Sequence, residues 1–146
     1  MNHVTIAFSR PGSLIGWLVS WFTGYEYSHV AMVSPDGYWV LESTGTLKPY
    51  GVQIRALHNR DFNELRTIPH PDPDAVWNAA ITQVGKPYDW GYILGWPMRR
   101  NWQDDDKWSC TELIPWAFAQ TGHPIIHSDH HRVGPMTLHM ISKETP

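Results

Sequence analysis

The only cysteine of the chain, Cys110, lies where the sequence predicts that a helix begins. Ser109 and Glu112 form the Ser-x-x-Glu pattern of a capping box, in which hydroxyl and carboxylate each bind an unpaired amide of the first helical turn. Trp108 and Leu113 flank the box as a hydrophobic staple. Cys110 is then the first helical residue, where the positive helix end favours a thiolate. The pattern predicts a nucleophile, and a buried inert cysteine is the alternative.

His29 lies in the first strand of a predicted β-hairpin whose turn is Ser-Pro-Asp-Gly at 34–37. With a four-residue loop, His29 pairs with Glu42, and directly opposite side chains are about 5 Å apart. The carboxylate would then orient the imidazole of a Cys–His pair. A three-residue loop moves the register by one and places Ser43 opposite His29 instead.

Tyr88 lies between the hairpin and the cysteine helix, in the segment Gly-Lys-Pro-Tyr-Asp-Trp at 85–90. A phenol near a nucleophile donates a hydrogen bond to a developing oxyanion. A core tyrosine bonded to backbone fits the sequence equally well.

No metal or cofactor is expected. The acidic run 104–106 lacks ligands at alternate positions and the distal glutamate of a calcium loop. The segment 123–131 contains four histidines, His123, His127, His130 and His131, but Pro124 and Asp129 predict a loop rather than the firm elements on which zinc ligands usually lie.

Composition restricts the class of protein. The chain has 146 residues, of which 42% are hydrophobic, enough for one domain spanning 1–146 with its own core. Its net charge is −3 and its basic residues are scattered, which argues against a nucleic-acid partner. One cysteine excludes an internal disulfide. Nine tryptophans suit either a Trp-rich core or apolar walls for a ligand.

The expected location is the cytoplasm, where the chain would be made as a soluble protein. The first residues lack a basic segment followed by an apolar core of signal-peptide length. No apolar stretch is long enough to cross a bilayer, so we expect no membrane insertion. An extracellular substrate would require another export route, such as delivery by a phage.

The elements that position these residues follow from hydrophobic periodicity. Strands with alternating residues and helices with apolar residues at helical spacing suggest an α+β domain with an antiparallel sheet. Strands are predicted over 3–8, 27–33, 38–42, 51–55 and 63–68, and helices over 14–23 (capped by Ser13), 74–84, 110–121 (capped by Ser109) and from 135.

Three segments of the chain resemble the circularly permuted NlpC-like papain-fold amidases of the YiiX/YaeF group, relatives of the lecithin:retinol acyltransferase-like proteins. The segments are 27–31 (Tyr-Ser-His-Val-Ala), 85–90 and 108–113 (Trp-Ser-Cys-Thr-Glu-Leu). His29 precedes Cys110, as in the permuted group. Thr111 departs from the more usual serine after the nucleophile. The resemblance extends over roughly residues 3 to 140, and only these short motifs are specific.

This resemblance implies a permuted papain-like fold and a cysteine amidase or peptidase. It assigns Cys110 as nucleophile, His29 as general base and acid, and Glu42 as the polar third member. The implied substrate is an amide bond, with cell-wall (peptidoglycan) peptides as the leading class. Two alternatives remain open at this point: an acyltransferase, thioesterase or lipid hydrolase of the same fold, and a binding module that has lost turnover.

Overall fold

The computed structural model describes residues 2–12, 14–45, 48, 50–88, 108–109, 111–126 and 134–145. Within these ranges the protein is an α+β fold, as the sequence predicted. The strands are β1 (His3–Ser9), β2 (His29–Val33), β3 (Trp39–Thr44), β4 (Gly51–Ala56), β5 (Glu64–Pro69) and β6 (Lys143–Glu144). The α-helices are α1 (Leu14–Thr23), α2 (Pro73–Ile81), α3 (Leu113–Gln120) and α4 (Pro135–Ile141), and Leu57–Asn59 forms a 3₁₀ helix.

The six strands form one antiparallel sheet in the order β4-β3-β2-β1-β5-β6. The five longer strands match the predicted ones, while the two-residue β6 is too short to give a sequence signal. Strand β1 lies inside the sheet between β2 and β5, and its apolar residues Val4, Ile6, Ala7 and Phe8 are buried.

The two faces of the sheet are covered unequally. The larger cluster joins one face to α2, α3 and α4, and it includes Ile6, Met32, Leu41, Val76, Phe118 and Leu138. On the opposite face, a small cluster of Ala7, Ala31, Val33 and Val40 packs against Leu57 and Phe62. The main core therefore lies between the sheet and the helices.

Helix α2 begins at Pro73, one residue earlier than predicted, because its cap is Asp72 and not Asp74. The Asp72 side chain accepts a hydrogen bond from the amide of Ala75 at 3.0 Å. Pro73 occupies the first turn, where a missing N–H costs no hydrogen bond. The cap of α1 was predicted at Ser13, which lies outside the described residues.

A polar network fastens the C-terminal helix α4 to the sheet. Glu64 Oε2 accepts hydrogen bonds from the Tyr27 hydroxyl at 2.7 Å and from His139 Nε2, on α4, at 3.1 Å. Arg66 donates to Glu64 Oε1 at 2.9 Å and to the carbonyl of Ser142 at 2.8 Å. Glu64 therefore joins three separate parts of the chain.

Within the described parts of the chain, no helix has the length and apolarity needed to cross a bilayer.

Candidate active site

His29 and Glu42 are in direct contact. Nε2 of His29 lies 2.8 Å from Oε2 of Glu42. The Glu42 side chain is completely buried, while 17% of the His29 side chain is exposed. A buried carboxylate bonded to one ring nitrogen fixes the tautomer and orientation of an imidazole. The predicted contact between the two side chains is confirmed, and their catalytic roles stay predictions.

The hairpin register that led to this expectation is wrong. The strands pair Met32 with Leu41 and Val33 with Val40, so the register is shifted by two residues from the predicted one. Side chains of the loop cause the difference. Ser34 Oγ accepts from the Trp39 amide at 3.0 Å, and Asp36 Oδ1 accepts from the Tyr38 amide at 3.0 Å.

Arg60, which the sequence did not identify, also contacts Glu42. Its Nη2 donates to Glu42 Oε2 at 3.2 Å, and its Nε lies 3.0 Å from Oε1. Nε and Oε1 are not aligned as a hydrogen bond, so that second contact is an ion pair. Arg60 follows the 3₁₀ helix, in an irregular segment that gives no periodic signal from which its direction could be predicted.

The charge state of Glu42 follows from these neighbours. Burial raises the pKa of this carboxyl, because a desolvated carboxylate is costly. The hydrogen bond and charge of His29, with the charge of Arg60, outweigh burial and lower the pKa of Glu42 below its ordinary value. Glu42 is therefore an ionised acceptor at neutral pH.

Cys110 itself lies outside the described residues, but its neighbours on both sides are described. The Ser109 amide donates to Glu112 Oε1 at 3.3 Å, which is one half of the predicted capping box. Ser109 Oγ instead lies 3.5 Å from the Thr111 hydroxyl.

The helix begins later than predicted, at Leu113 rather than beside Ser109. Pro115 explains the difference, because it has no N–H to donate to the carbonyl of Thr111. Among the described residues, the first backbone bond of the helix runs from Trp116 to the Glu112 carbonyl at 3.3 Å. Cys110, predicted as the first helical residue, is three positions before the first residue of α3 in the sequence, and the effect of the helix N-terminus on its thiol stays a prediction.

Ser43 has a different role from the one considered in the sequence. Its hydroxyl donates to the backbone carbonyl of Trp108, two residues before Cys110. The Trp108 ring is buried and lies 5.2 Å from the ring of Trp116, between centroids. Ser43 thus attaches the segment leading to the cysteine to the strand that carries Glu42.

The His29–Glu42 pair and helix α3 lie on opposite faces of the sheet. Because side chains alternate along β2 and β3, His29 and Glu42 are on the same face as the small cluster of Ala7, Ala31, Val33 and Val40. Helix α3 packs with Met32 and Leu41 on the other side. A contact between Cys110 and His29 therefore requires the chain before α3 to pass the sheet end at which β2 begins and β3 ends. The Ser43 hydrogen bond holds Trp108 beside β3 near that end.

Tyr88 is buried and close to the same segment. It forms an isolated parallel bridge with Trp108, and the Trp108 amide donates to the carbonyl of Pro87 at 3.1 Å. The preceding residue, Lys86, accepts from the Val52 amide at 2.9 Å, which attaches this segment to β4. A role of the Tyr88 hydroxyl toward an oxyanion stays a prediction.

In the described part of the chain, no group of three His, Cys, Asp or Glu side chains is placed to hold a metal ion. His123 is exposed and packs against His70, with ring centroids 5.2 Å apart. The other tail histidines, His127, His130 and His131, and the acidic run 104–106 lie outside the described residues.

Comparison with known proteins assigns the chain to no family, since it matches no protein-family model and no curated protein.

Proposed function

We propose that the protein is a cysteine hydrolase with a permuted papain-like fold that cleaves an amide bond through an acyl-enzyme. The observation that carries the proposal is the 2.8 Å contact between His29 Nε2 and the buried Glu42 carboxylate. A base oriented by an ionised carboxylate is one arrangement that activates a thiol nucleophile.

In the proposed reaction, Glu42 binds Nε2, so Nδ1 of His29 is the nitrogen that exchanges protons. It accepts the proton of the Cys110 thiol, and Glu42 stabilises the imidazolium without taking a proton. The thiolate attacks the carbonyl carbon, and the Cys110 amide and the Tyr88 hydroxyl stabilise the oxyanion. His29 then protonates the leaving nitrogen as the C–N bond breaks. A water deprotonated by His29 hydrolyses the thioester and regenerates the thiol.

The sequence distance between Trp108 and Cys110 supports the pairing. Two residues span at most about 7 Å, and the Trp108 carbonyl is bonded to Ser43, the neighbour of Glu42. We therefore propose that the thiol acts near this end of β3. The contact of Cys110 with His29 around the sheet end is tested by the pH dependence of Cys110 alkylation in the wild type and in His29→Ala.

The substrate class rests on the resemblance of the three segments to the permuted amidases. That resemblance supports amides, with the peptides of the bacterial cell wall as the leading class.

An acyl-lipid substrate is the second candidate, and helix α1 favours it. This helix contains no charged residue, and Trp17 and Trp21 are 54% and 65% exposed. Their rings are stacked, 6.4 Å apart and nearly parallel. Exposed apolar side chains of this size suit contact with an acyl chain or a lipid surface.

A substrate panel tests the proposal. Peptidoglycan fragments, long-chain acyl esters and thioesters are offered to the wild type and to Cys110→Ala and His29→Ala. We expect release of a free amine from the peptides by the wild type alone. Turnover of esters that falls in Trp17→Ser/Trp21→Ser would favour the second candidate. A wild type that binds a fragment without turning over any member of the panel would identify a binding module and overturn both enzymatic proposals.

A further inference from the structure

Glu42 contacts two basic side chains, His29 and Arg60. On one side its Oε2 contacts His29, and on the other side the carboxylate contacts Arg60 at two points, 3.0 Å from Nε and 3.2 Å from Nη2. A carboxylate whose only role were to orient an imidazole would need no second partner. The contact between Arg60 and Glu42 therefore indicates a separate role for the arginine.

Arg60 is held firmly in this position. Its side chain is 22% exposed, and its guanidinium carbon lies 5.4 Å from the ring centroid of Phe62. Its amide donates to the Leu57 carbonyl at 3.0 Å, which closes the 3₁₀ turn before it. A guanidinium fixed at its backbone end and over an aromatic ring has few other orientations available.

A further charged residue near His29, Arg10, is already paired. Strand β1 places Ser9 opposite His29, and the next residue, Arg10, forms an ion pair with Glu26 at 3.0 Å. Among the described residues, Glu42 on β3 contacts the imidazole, and Arg60 in the segment after β4 contacts that carboxylate.

We propose that Arg60 is a positioning residue of the candidate site, which holds the Glu42 carboxylate in place and reduces the basicity of His29 by sharing that carboxylate's charge. The proposal deepens the proposed function, because it concerns the base of that same site. Arginine keeps its charge at every relevant pH, so it opposes a second positive charge on the far side of the carboxylate. Its two contacts also prevent rotation of the carboxylate away from Nε2.

The test measures the titration of His29 and requires no turnover. Imidazole nitrogen shifts are followed against pH by NMR in Cys110→Ala, which removes the effect of the thiol, and His29→Gln in the same background identifies the signal. Arg60→Met is expected to move the midpoint of His29 upward by about one pH unit, since the carboxylate then serves the imidazolium alone. Arg60→Gln keeps a donor for Oε2 without the charge and should give the same direction of shift if the methionine variant does not fold.

Two further variants separate charge from structure. Arg60→Lys keeps the charge and loses the two-point contact, so the midpoint should stay and turnover should fall about tenfold. Arg55→Met is the matched control, because Arg55 donates to the Gln53 side chain and the Lys48 carbonyl, and it should leave the midpoint unchanged.

A purely structural Arg60 predicts a different result. Its neutral variants would lower the unfolding temperature and leave the His29 midpoint in place, and that result overturns the proposal. Failure of the proposed function is a separate outcome, since full turnover by Cys110→Ala would refute the hydrolase mechanism whatever the midpoint does.

Discussion

Glu42 reaches His29 diagonally across the β2–β3 hairpin and not from the directly opposite position. The recorded pairs, continued along both strands, set Glu42 opposite Ala31, two residues from His29. A shift of two residues keeps every side chain on its original face, whereas a shift of one exchanges the faces. Long side chains at diagonal positions remain within contact distance. The contact therefore occurs at 2.8 Å although the predicted register was wrong.

Substitution of Glu42 should impair turnover less than loss of Cys110 or His29, because Glu42 orients the base without exchanging a proton. We expect Glu42→Ala to lower kcat/KM by one to three orders of magnitude, about 1.4 to 4 kcal/mol of barrier. Glu42→Gln still accepts a bond from His29 and should be milder in kinetics. Glu42→Gln should nevertheless lower the free energy of unfolding clearly, because Arg60 loses its counter-charge. Steady-state kinetics and urea unfolding of both variants measure the two effects separately.

Ser43→Ala is the matched control for this series. It removes a neighbouring side chain on the same strand, together with the hydrogen bond to the Trp108 carbonyl. We expect it to cost about 1 kcal/mol of unfolding free energy and to affect turnover far less than Glu42→Ala. A crippled Ser43→Ala beside a fully active Glu42→Ala, both folded by circular dichroism, would show that Glu42 is not the third member.

The hairpin shows why strand periodicity and strand register differ in predictability. The alternation of buried and exposed positions is carried by many residues and is as predicted, while the register depended on two loop side chains. Ser34 and Asp36 accept hydrogen bonds from the Trp39 and Tyr38 amides, which keeps Tyr38 out of the strand. Such bonds are set by local geometry that a turn-type signature does not specify.

The candidate site was predictable to the same limited extent. Local patterns identified His29, Glu42 and half of the capping box at Ser109. They misplaced the start of α3, because Pro115 removes a hydrogen bond that periodicity does not count. They missed Arg60, whose contact with Glu42 joins residues 18 apart through an irregular segment. Long-range contacts of this kind depend on the whole fold.

The reactivity of Cys110 tests whether its thiol pairs with His29. An imidazolium beside a thiolate lowers the thiol pKa below the free value of about 8.5. Iodoacetamide rates measured against pH should therefore show a midpoint well below that value in the wild type. His29→Ala should move the midpoint upward, and Glu42→Ala should move it less. A midpoint near the free value in all three proteins would contradict the pair, and with it the passage of the cysteine around the sheet end.

The Glu64 network predicts a defined loss of stability in acid. Hydrogen bonds from Arg66 and Tyr27 lower the pKa of Glu64 from an ordinary 4.5 to about 2. A carboxyl with a depressed pKa in the folded state stabilises the fold above its unfolded pKa. That contribution is lost as the pH falls from about 4.5 toward 2. Urea unfolding from pH 7 to pH 2.5 should show this loss in the wild type and a flatter dependence in Glu64→Gln.

Glu26→Gln is the control for that experiment, because Glu26 forms an exposed ion pair with Arg10 and is expected to leave the acid dependence intact. An identical pH dependence in wild type and Glu64→Gln would show that the network contributes nothing measurable to folding. The same network also affects Tyr27. The hydrogen bond from the Tyr27 hydroxyl to Glu64 raises the pKa of Tyr27 to about 12.

Gly51 joins β4 to the segment that leads to Tyr88, and its substitution should damage both. A Cβ at Gly51 would lie 2.2 Å from the carbonyl oxygen of Lys86, and its φ is +109°. Gly37 also has a positive φ, +80°, but a Cβ there would have no atom within 4 Å. Gly37→Ala and Gly51→Ala both introduce backbone strain, but only Gly51→Ala also introduces a clash with backbone atoms. A comparison of the two variants therefore separates the two effects.

We expect Gly37→Ala to cost about 1 to 2 kcal/mol of unfolding free energy, the typical penalty for a left-handed conformation. Gly51→Ala should cost at least about 3 kcal/mol, because the atoms it meets belong to the backbone and cannot rotate away. Its displaced segment should also weaken the pairing of Tyr88 with Trp108, and Cys110 alkylation should then lose its dependence on His29. Equal losses of unfolding free energy in the two variants, measured by urea unfolding, would contradict this prediction. They would mean that the segment around Lys86 moves away from the added Cβ at little cost, and that its hydrogen bonds with Val52 do not position the cysteine.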